Sequence, residues 1–323
     1  MDKKVLVTHQ LPGNRIHELG QRCDLNVWMG PGLLPDGALY EELRECKGLL
    51  CLLTDRLDRK LLDSLPTLEF VSSMSAGVDH IDVAALTERG IPLGHTPGVL
   101  VDATANAAFA LMLSAARRVV EADRYIRQGN WRNDNAWSPD FFTGKDVSGA
   151  TLGVIGLGAI GQAVAKRAAS FDMAVLGFNR SERNVPGVEN VSLEELLLRS
   201  DFVSIHVPLN EETRDLVNAD RIATMKPGAV LVNTARGGIV DEAALAQALA
   251  KGDLYAAGID VFEQEPVELD NPLLALPNVV VAPHIGSATT LVRARMADLA
   301  VDNAIAALAG QAMPFCVNPE VYC

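Results

Sequence analysis

The chain has few cysteines, and none of them is arranged as a metal or disulfide motif. Its 323 residues include five cysteines, without a CxxC pair or a cluster of the metal-binding type. We therefore expect reduced thiols and no bound metal, a pattern that is typical of a cytoplasmic protein. Cys46 and Cys51 could form a ligand pair, but no histidine or cysteine cluster accompanies them.

The chain also lacks a basic excess and long apolar runs. Its 28 basic and 41 acidic side chains give a net charge of −13, which disfavours nucleic acid or an anionic membrane as a partner. No apolar run approaches the roughly 20 residues of a membrane span, and we find no signal-peptide segment. One local arginine can still bind an anionic substrate, so small anionic metabolites stay open as ligands.

What the sequence does contain is a regular alternation of short apolar strands and helical segments. This pattern indicates parallel sheets with helices on both faces. Five strands are predicted in the first hundred residues and six after Ala150. They are Lys4–Thr8, Cys23–Val27, Gly48–Leu52, Glu69–Ser72 and Pro92–Gly94, then Thr151–Ile155, Ala174–Phe178, Phe202–His206, Ala229–Asn233, Tyr255–Val261 and Val279–Ala282.

One long helix is predicted over Val101–Gln128, and a closing helix over about Ala288–Ala309. The predicted fold is α/β, with two doubly wound parallel-sheet domains. A Rossmann cofactor domain at residues 101–286 is inserted in a flavodoxin-like substrate domain that consists of residues 1–100 and 287–323.

A glycine-rich turn follows the first strand of the second domain. Residues 156–161 read GLGAIG and lead into a helical segment, so strand, turn and helix come in the order that dinucleotide binding requires. Gly156 permits the tight turn, Gly158 permits close approach of a pyrophosphate, and Gly161 lets helix and strand pack closely. The amides of Ala159 and Ile160, at the positive end of the helix, would then face the phosphates.

The end of the next strand has no acidic residue where NAD-binding domains place one. An Asp or Glu there would bind the ribose 2′-hydroxyl of NAD. This chain instead has Asn179, Arg180 and Ser181, and the first acid is Glu182. Because Arg180 can pair with a 2′-phosphate and Ser181 can donate to it, the sequence predicts a preference for NADPH, with NADH as the weaker cofactor.

Three chemically active side chains follow successive strands of the second domain. They are Arg236, Glu265 and His284, with Glu263 as an alternative to Glu265. Because open α/β sheets bind ligands at the carboxyl ends of their strands, we expect the three around one nicotinamide. His284 would donate a proton to a developing alkoxide, the glutamate would orient its ring and favour its protonated form, and Arg236 would bind a substrate carboxylate.

These segments resemble the D-isomer-specific 2-hydroxyacid dehydrogenase family along essentially the whole chain. The matching stretches are residues 75–82, 156–161, 225–228, 233–238, 260–266 and 283–289. The resemblance implies that Glu265, rather than Glu263, is the partner of His284. Within the family the chain looks most like the glyoxylate/hydroxypyruvate reductases, including the branch that acts on 2-ketogluconate.

The resemblance also implies further binding residues. The backbone amides of Ala76 and Gly77 would bind the substrate carboxylate, together with Arg236 and His284. Further cofactor contacts are implied along the ends of the later strands, and they are Val207, Pro208, Thr234, Ala235, Asp260, His284 and Gly286. His206 would line the cofactor cleft or take part in catalysis, with neither role favoured, and it ranks well below His284 as a catalytic residue.

Several alternatives stay open at this point. The enzyme could reduce D-lactate-type or bulkier 2-oxo acids, or the chain could be a non-catalytic NAD(H)-sensing corepressor or scaffold. Residues 130–148 are rich in aromatic side chains, which suits an arm at a dimer interface or a wall of the substrate pocket. By resemblance we expect a homodimer, with residues 102–148 at the contact.

Overall fold

The computed structural model describes residues 3–30, 32 and 34–323. These residues form two compact units, one made of Met1–Leu100 with Ala288–Cys323 and the other of Val101–Ser287. Within the described ranges no helix is long and apolar enough to cross a membrane. The assignment of the first unit to the substrate and the second to the cofactor stays a prediction.

The first unit contains a five-stranded parallel sheet in the order β2-β1-β3-β4-β5, the doubly wound order expected of a flavodoxin-like domain. Its strands are β1 (Lys4–Val7), β2 (Asp24–Val27), β3 (Gly48–Cys51), β4 (Phe70–Ser73) and β5 (Leu93–Gly94). Its helices before residue 100 are α1 (Ile16–Gly20), α2 (Asp36–Leu43), α3 (Arg59–Asp63) and α4 (Val83–Glu88).

Alternating side chains of these strands build a hydrophobic core on each face of the sheet. Val5 and Val7 pack on one face, and Leu6 between them packs on the other. This period of two is what an extended strand buried on both sides requires. The sheet is therefore covered by helices on both faces, as predicted.

The second unit contains a seven-stranded parallel sheet in the order β12-β11-β10-β9-β6-β7-β8. Its strands are β6 (Thr151–Ile155), β7 (Ala174–Phe178), β8 (Val188–Asn190), β9 (Phe202–Ile205), β10 (Val230–Asn233), β11 (Ala256–Ile259) and β12 (Val279–Val281). Its helices are α5 (Val101–Ala116), α6 (Val119–Arg127), α7 (Ala159–Ala168), α8 (Leu193–Arg199), α9 (Ala219–Thr224) and α10 (Glu242–Lys251). This is the Rossmann strand order, with β6, β7 and β8 as its first three strands and β12 as one further strand at the edge beyond β11.

Two predictions about this unit were wrong. The sequence predicted six strands, but the sheet has a seventh, β8, which is only three residues long and has no buried residue. The predicted single helix over Val101–Gln128 is two helices, because Arg118 adopts a left-handed conformation with φ 55°. The amide of Lys145 donates to the carbonyl of Ala116 at 2.8 Å, so a distant segment stabilises the end of α5.

The last helix, α11 (Thr290–Leu308), belongs to the first unit. Its buried residues, including Met296 and Ala300, join the same core cluster as Val5 and Phe70. Ser72 of β4 donates its hydroxyl proton to the carbonyl of Ala300 at 2.8 Å. The first unit is therefore formed by the two ends of the chain.

Candidate active site

Arg236 follows β10 on a turn that the buried side chain of Asn233 holds. The Asn233 amide donates to the carbonyl of Arg236 at 2.7 Å, and its oxygen accepts from the amide of Ala235 at 3.0 Å. The Arg236 guanidinium donates to the carbonyl of Ala235 at 2.7 Å. Its side chain is partly buried, so the cation is positioned by a local network that begins inside the sheet.

Glu265 follows β11, the neighbour of β10 in the sheet. Its Oε1 accepts from the amide of Phe262 at 3.0 Å, which folds the loop after the strand back on itself. The turn after Arg236 packs against this loop so closely that a side chain at Gly237 would lie 2.0 Å from the carbonyl group of Phe262. Glycine is needed there because the two backbones touch.

His284 follows β12 and has a left-handed backbone with φ 54°. A non-glycine residue in this conformation has to be stabilised by its surroundings. Here Asp260 does so, because three successive amides of the loop donate to it. The amide of His284 reaches its carbonyl at 2.8 Å, and the amides of Ile285 and Gly286 reach its two carboxylate oxygens at 2.7 and 2.8 Å.

Glu265 and His284 form a direct pair, with 2.7 Å between Oε2 and Nδ1. The side chains are 31% and 23% exposed. Burial opposes ionisation of Glu265, but the hydrogen bond from His284 and the positive charges of His284 and Arg236 outweigh it and lower the pKa of that carboxyl. Since Nδ1 is engaged by the carboxylate, Nε2 is the ring nitrogen left for a substrate.

Asp260 itself is almost fully buried, at 1% exposure. Burial raises its pKa, while the amide hydrogen bonds of Ile285 and Gly286 act in the opposite direction. Its backbone amide also donates to the carbonyl of Asn233 at 3.0 Å. Asp260 thus connects the β10 turn that carries Arg236 with the loop that carries His284. The structure therefore brings the three predicted catalytic residues to adjacent strand ends.

The glycine turn after β6 has the geometry that the sequence predicted. Gly156 has φ +96°, and a side chain there would lie 2.5 Å from the carbonyl oxygen of His206. A side chain at Gly161 would lie 1.9 Å from the carbonyl oxygen of Gly156. Both positions therefore require glycine, one for conformation and one for close packing of α7 on the turn.

The amino end of α7 is open to a ligand. Gly158 is its N-cap and provides no side-chain cap, and a side chain built there meets no atom within 4 Å. Gln162 is the first residue of the helix whose amide has a backbone acceptor, Gly158 at 2.9 Å. Within the described ranges the amides of Ala159 and Ile160 have no acceptor, so they can bind a phosphate.

The residues after β7 are connected to the glycine turn. Asn179 accepts from the amide of Leu157 at 3.1 Å and donates to the carbonyl of Ser181 at 2.8 Å. Arg183 donates to the carbonyl of Leu157 at 3.0 Å, which adds a second cation to the segment of the predicted Arg180. The sequence reasoning did not single out Arg183, although it is the next basic residue after Arg180.

Other predicted cofactor residues lie along the same edge of the sheet. Val207 and Pro208 follow β9, and Thr234 and Ala235 follow β10. The Thr234 hydroxyl is buried and has no hydrogen-bond partner in the described part of the chain. Together with the open amides of α7, this unpaired hydroxyl fits a nicotinamide dinucleotide along the carboxyl edge.

His206 contributes to the wall of this edge rather than to the catalytic group. Its Nε2 lies 2.8 Å from the hydroxyl of Ser204, and burial lowers the pKa of His206 to about 3. A neutral imidazole at working pH cannot serve as a proton donor of the kind that His284 offers. Of the two roles that the sequence left open for His206, this favours lining of the cleft.

The loop after β4 in the first unit presents the predicted Ala76 and Gly77. Ser75 donates to the carbonyl of Gly77 at 2.7 Å, and His95 Nδ1 lies 2.9 Å from the carbonyl of Ala76. The carbonyl groups of Ala76 and Gly77 are thus hydrogen-bonded to other residues of the protein. In the portion of the chain that the structure covers, the two amides have no acceptor, which suits binding of an anion.

Neither the cysteines nor any other group of side chains in the described residues forms a candidate metal site. Cys46 and Cys51 are both buried in the core of the first unit, and Cys46 donates to the carbonyl of Glu42 at 3.1 Å. Among the described residues no group of three or more metal-ligating side chains occurs.

Besides Arg183, the support of the His284 loop was missed by the sequence reasoning. Asp260 was predicted as a cofactor contact through the family resemblance, but its acceptance of two amides from the His284 loop was not foreseen. The available signal was an acidic residue directly after a buried strand, where a carboxylate needs donors close by. Gly286 has a related role, since a side chain there would approach Asp260 Oδ2 to 3.2 Å.

A Rossmann-type unit with a carboxylate–imidazole pair and a neighbouring guanidinium defines a nicotinamide-dependent dehydrogenase. Residues 109–286 match the family model for the D-isomer specific 2-hydroxyacid dehydrogenase, NAD binding domain. The glyoxylate reductase of Korarchaeum cryptofilum is 45% identical over 325 residues, which cover 99% of this chain and 97% of the relative. The chain therefore belongs to the D-isomer specific 2-hydroxyacid dehydrogenase family, as its motifs indicated.

Solved structures support the same assignment for the whole chain. A protein from Thermus thermophilus is 47% identical, with a TM-score of 0.91 and coverage of 97% of this chain and 99% of that one. The NADPH-dependent glyoxylate/hydroxypyruvate reductase of Sinorhizobium meliloti, solved with NADP and malonate, is 31% identical, with a TM-score of 0.85 and coverage of 99% and 98%. This chain is thus an oxidoreductase that uses a nicotinamide cofactor.

Proposed function

We propose that this enzyme reduces glyoxylate, hydroxypyruvate and similar small 2-oxo acids to D-2-hydroxy acids, with NADPH preferred over NADH. The observation that carries the proposal is the pair between Glu265 and His284, beside Arg236 at adjacent strand ends. The names of the relatives, which are glyoxylate reductases, support the substrate class.

The nicotinamide, when bound, supplies the hydride that a carbonyl carbon accepts. The protein has to provide the proton, and His284 holds it on Nε2 because Nδ1 donates to Glu265. The lowered pKa of Glu265 keeps its carboxylate ionised at neutral pH, so it can accept the Nδ1 proton of His284 in a hydrogen bond and hold the ring in place. Asp260 keeps the loop of His284 in its left-handed conformation while the charge on the ring changes.

Arg236 serves the other end of the substrate. Its guanidinium is held by the carbonyl of Ala235 on one side, and a planar guanidinium can bind a carboxylate with two parallel hydrogen bonds. The same positive charge stabilises negative charge that develops on the carbonyl oxygen. That the amides of Ala76 and Gly77 also bind the carboxylate stays a prediction.

The NADPH preference rests on the residues that follow β7. No carboxylate occurs there before Glu182, whereas Arg180 and Ser181 offer a cation and a hydroxyl. Arg183 adds a second cation that is attached to the glycine turn. A 2′-phosphate carries nearly two negative charges at neutral pH, so two guanidinium groups and a hydroxyl favour it over a ribose hydroxyl.

The homodimer and the cytoplasmic location are also proposals. Helix α6 buries none of its residues within the chain, and Val119 and Ile126 are more than half exposed. In the following loop Trp137 is 77% exposed, while Phe141 and Phe142 pack on Tyr125. This exposed apolar surface supports a subunit contact through residues 102–148.

A spectrophotometric screen tests the function. Glyoxylate, hydroxypyruvate, pyruvate and 2-ketogluconate are each offered with NADPH and with NADH, and kcat/KM is measured for all pairs. We expect the highest values for glyoxylate or hydroxypyruvate with NADPH. A tenfold preference for NADH would refute the cofactor proposal, and a clear preference for pyruvate would favour the D-lactate alternative. Oxidation of neither cofactor with any acid would point to the non-catalytic role.

A further inference from the structure

Arg180 and Glu212 form an ion pair across the glycine turn, between the segments that follow β7 and β9. Arg180 lies just beyond β7, and Glu212 lies in the loop that follows β9. Their Nη1 and Oε2 atoms are 2.6 Å apart. Strands β7 and β9 are the two neighbours of β6, which leads into the glycine turn. The pair therefore spans the carboxyl end of β6, where dinucleotides bind in this fold.

The backbone that carries each of the two residues, Arg180 and Glu212, is held by hydrogen bonds. Glu212 lies in a turn in which the Asn210 side chain accepts from the amides of Glu212 and Thr213, each at 3.0 Å. Thr213 closes that turn by donating its hydroxyl proton to the carbonyl of Pro208 at 2.6 Å. On the other side, Asn179 attaches the start of the Arg180 segment to the glycine turn. The position of the Glu212 carboxylate relative to Arg180 is thus set by two hydrogen-bonded loops.

The side chains themselves are free to exchange partners. Those of Arg180 and Glu212 are 82% and 65% exposed, so water and salt screen their attraction. A 2′-phosphate that binds Arg180 has to displace this carboxylate or stay close to it. If the phosphate displaces the carboxylate, the two anions compete for the same N–H donors of Arg180. If both stay at Arg180, the phosphate is repelled by the nearby negative charge of Glu212.

We infer that Glu212 is a specificity-determining residue that limits the preference for NADPH over NADH. This inference rests on the proposed role of Arg180 in binding the 2′-phosphate. Glu212 neutralises the cation that would attract the extra phosphate, whereas a cofactor with a free ribose 2′-hydroxyl brings no charge to this place. The chain thus carries both a residue that favours NADPH and a residue that weakens the effect.

The chain offers a matched control for this inference. Glu211 precedes Glu212 and has the same charge, and in the described part of the chain it makes no hydrogen bond or ion pair through its side chain. Glu211→Gln therefore changes the net charge by the same amount as Glu212→Gln. Only the second substitution removes the partner of Arg180.

The test measures binding of two nucleotide fragments to the intact enzyme by isothermal titration calorimetry. The fragments are 2′,5′-ADP, which carries the 2′-phosphate, and 5′-AMP, which lacks it. We expect Glu212→Gln to tighten the Kd of 2′,5′-ADP about two- to fivefold, which corresponds to the upper part of the range of exposed ion pairs, and to change that of 5′-AMP less than about twofold. Glu211→Gln should change both less than about twofold, and added salt should reduce the gain.

The outcomes separate this inference from the function on which it rests. Equal tightening of both fragments, no tightening of 2′,5′-ADP, or the same gain in Glu211→Gln would overturn the role of Glu212. Arg180→Ala is the reference variant, and it should weaken 2′,5′-ADP alone. If Arg180→Ala leaves the ratio of the two Kd values unchanged, the proposed NADPH preference fails as well. If that ratio changes while Glu212→Gln has no effect, only the present inference fails.

Discussion

The two ends of the carboxyl edge of the seven-stranded sheet are built in different ways. We call the loops after β10, β11 and β12 the catalytic end, and the loops after β6, β7 and β9 the adenosine end. At the catalytic end the Glu265–His284 pair is about a quarter exposed and is supported by a buried Asp260. At the adenosine end the pair of Arg180 and Glu212 is mostly exposed.

The difference follows from what each end has to do. Proton transfer needs a fixed geometry, because a small displacement of the donor costs a large factor in rate. The catalytic end obtains it from backbone amides that donate to carboxylates. Selection between two cofactors needs only a difference in charge at one point. The adenosine end can therefore use side chains that water surrounds, and it should respond to substitution by smaller factors.

The largest effect is expected from His284→Ala at the catalytic end. Loss of the proton donor should lower kcat about 10²- to 10⁴-fold. The Kd of NADPH, measured by calorimetry, should stay within about threefold, because a proton donor acts in the chemical step. Because His284 has φ 54°, His284→Asn is the matching variant, since asparagine tolerates the left-handed region. Retention of more than a few per cent of kcat in both variants would contradict the role of His284.

A smaller effect is expected from Glu265→Gln. Its pKa is lowered, so in the wild type the carboxylate is present at neutral pH and is lost only as pH falls through that lowered pKa. Without it the imidazolium has no anionic partner. We expect kcat to fall about 10- to 100-fold, and the pH–rate profile should change because the Glu265–His284 pair no longer forms.

Glu263→Gln is the control for that experiment, because the sequence alone left both glutamates open as partners of His284. The Glu263 side chain is exposed, and its backbone amide donates to Glu242. Its pH profile should match that of the wild type. If Glu263→Gln shifted the profile and Glu265→Gln did not, the assignment of the partner would be wrong.

The catalytic end was largely predictable from the sequence, for a physical reason. Parallel strands end at one edge, so chemically active residues that follow neighbouring strands meet there. Arg236, Glu265 and His284 satisfy this rule, and the family resemblance selected Glu265 over Glu263. The glycine turn was predictable because its conformation and its packing each require a missing side chain.

What the sequence did not reveal depends on contacts between distant segments. The break at Arg118 goes with a hydrogen bond from Lys145 to the end of α5, which local helix propensity does not show. The pairing of Arg180 with Glu212 joins residues 32 positions apart through the strand order. The support of the His284 loop by Asp260 likewise depends on β11 and β12 being neighbours.

A smaller effect than at Glu265 is expected from Gly158→Ala at the adenosine end. A side chain there meets no protein atom within 4 Å, and the backbone φ of −66° suits alanine, so the fold should be unaffected. It would instead occupy the space that a pyrophosphate approaches. We expect an unchanged Tm in thermal unfolding and a Kd for NADPH that rises about tenfold, on the order of 1.4 kcal/mol.

Gly161→Ala in the same turn is the contrasting variant. Its side chain would lie 1.9 Å from the carbonyl oxygen of Gly156, so the turn or α7 has to move. Overpacking of this kind costs about 1–3 kcal/mol, and the Tm should fall. An unchanged Kd with an unchanged Tm would show that the cofactor does not bind in the open space at Gly158, and a lowered Tm would show that this space is not open. The expected result would show that the glycine turn is tightly packed at Gly161 and open to the cofactor at Gly158.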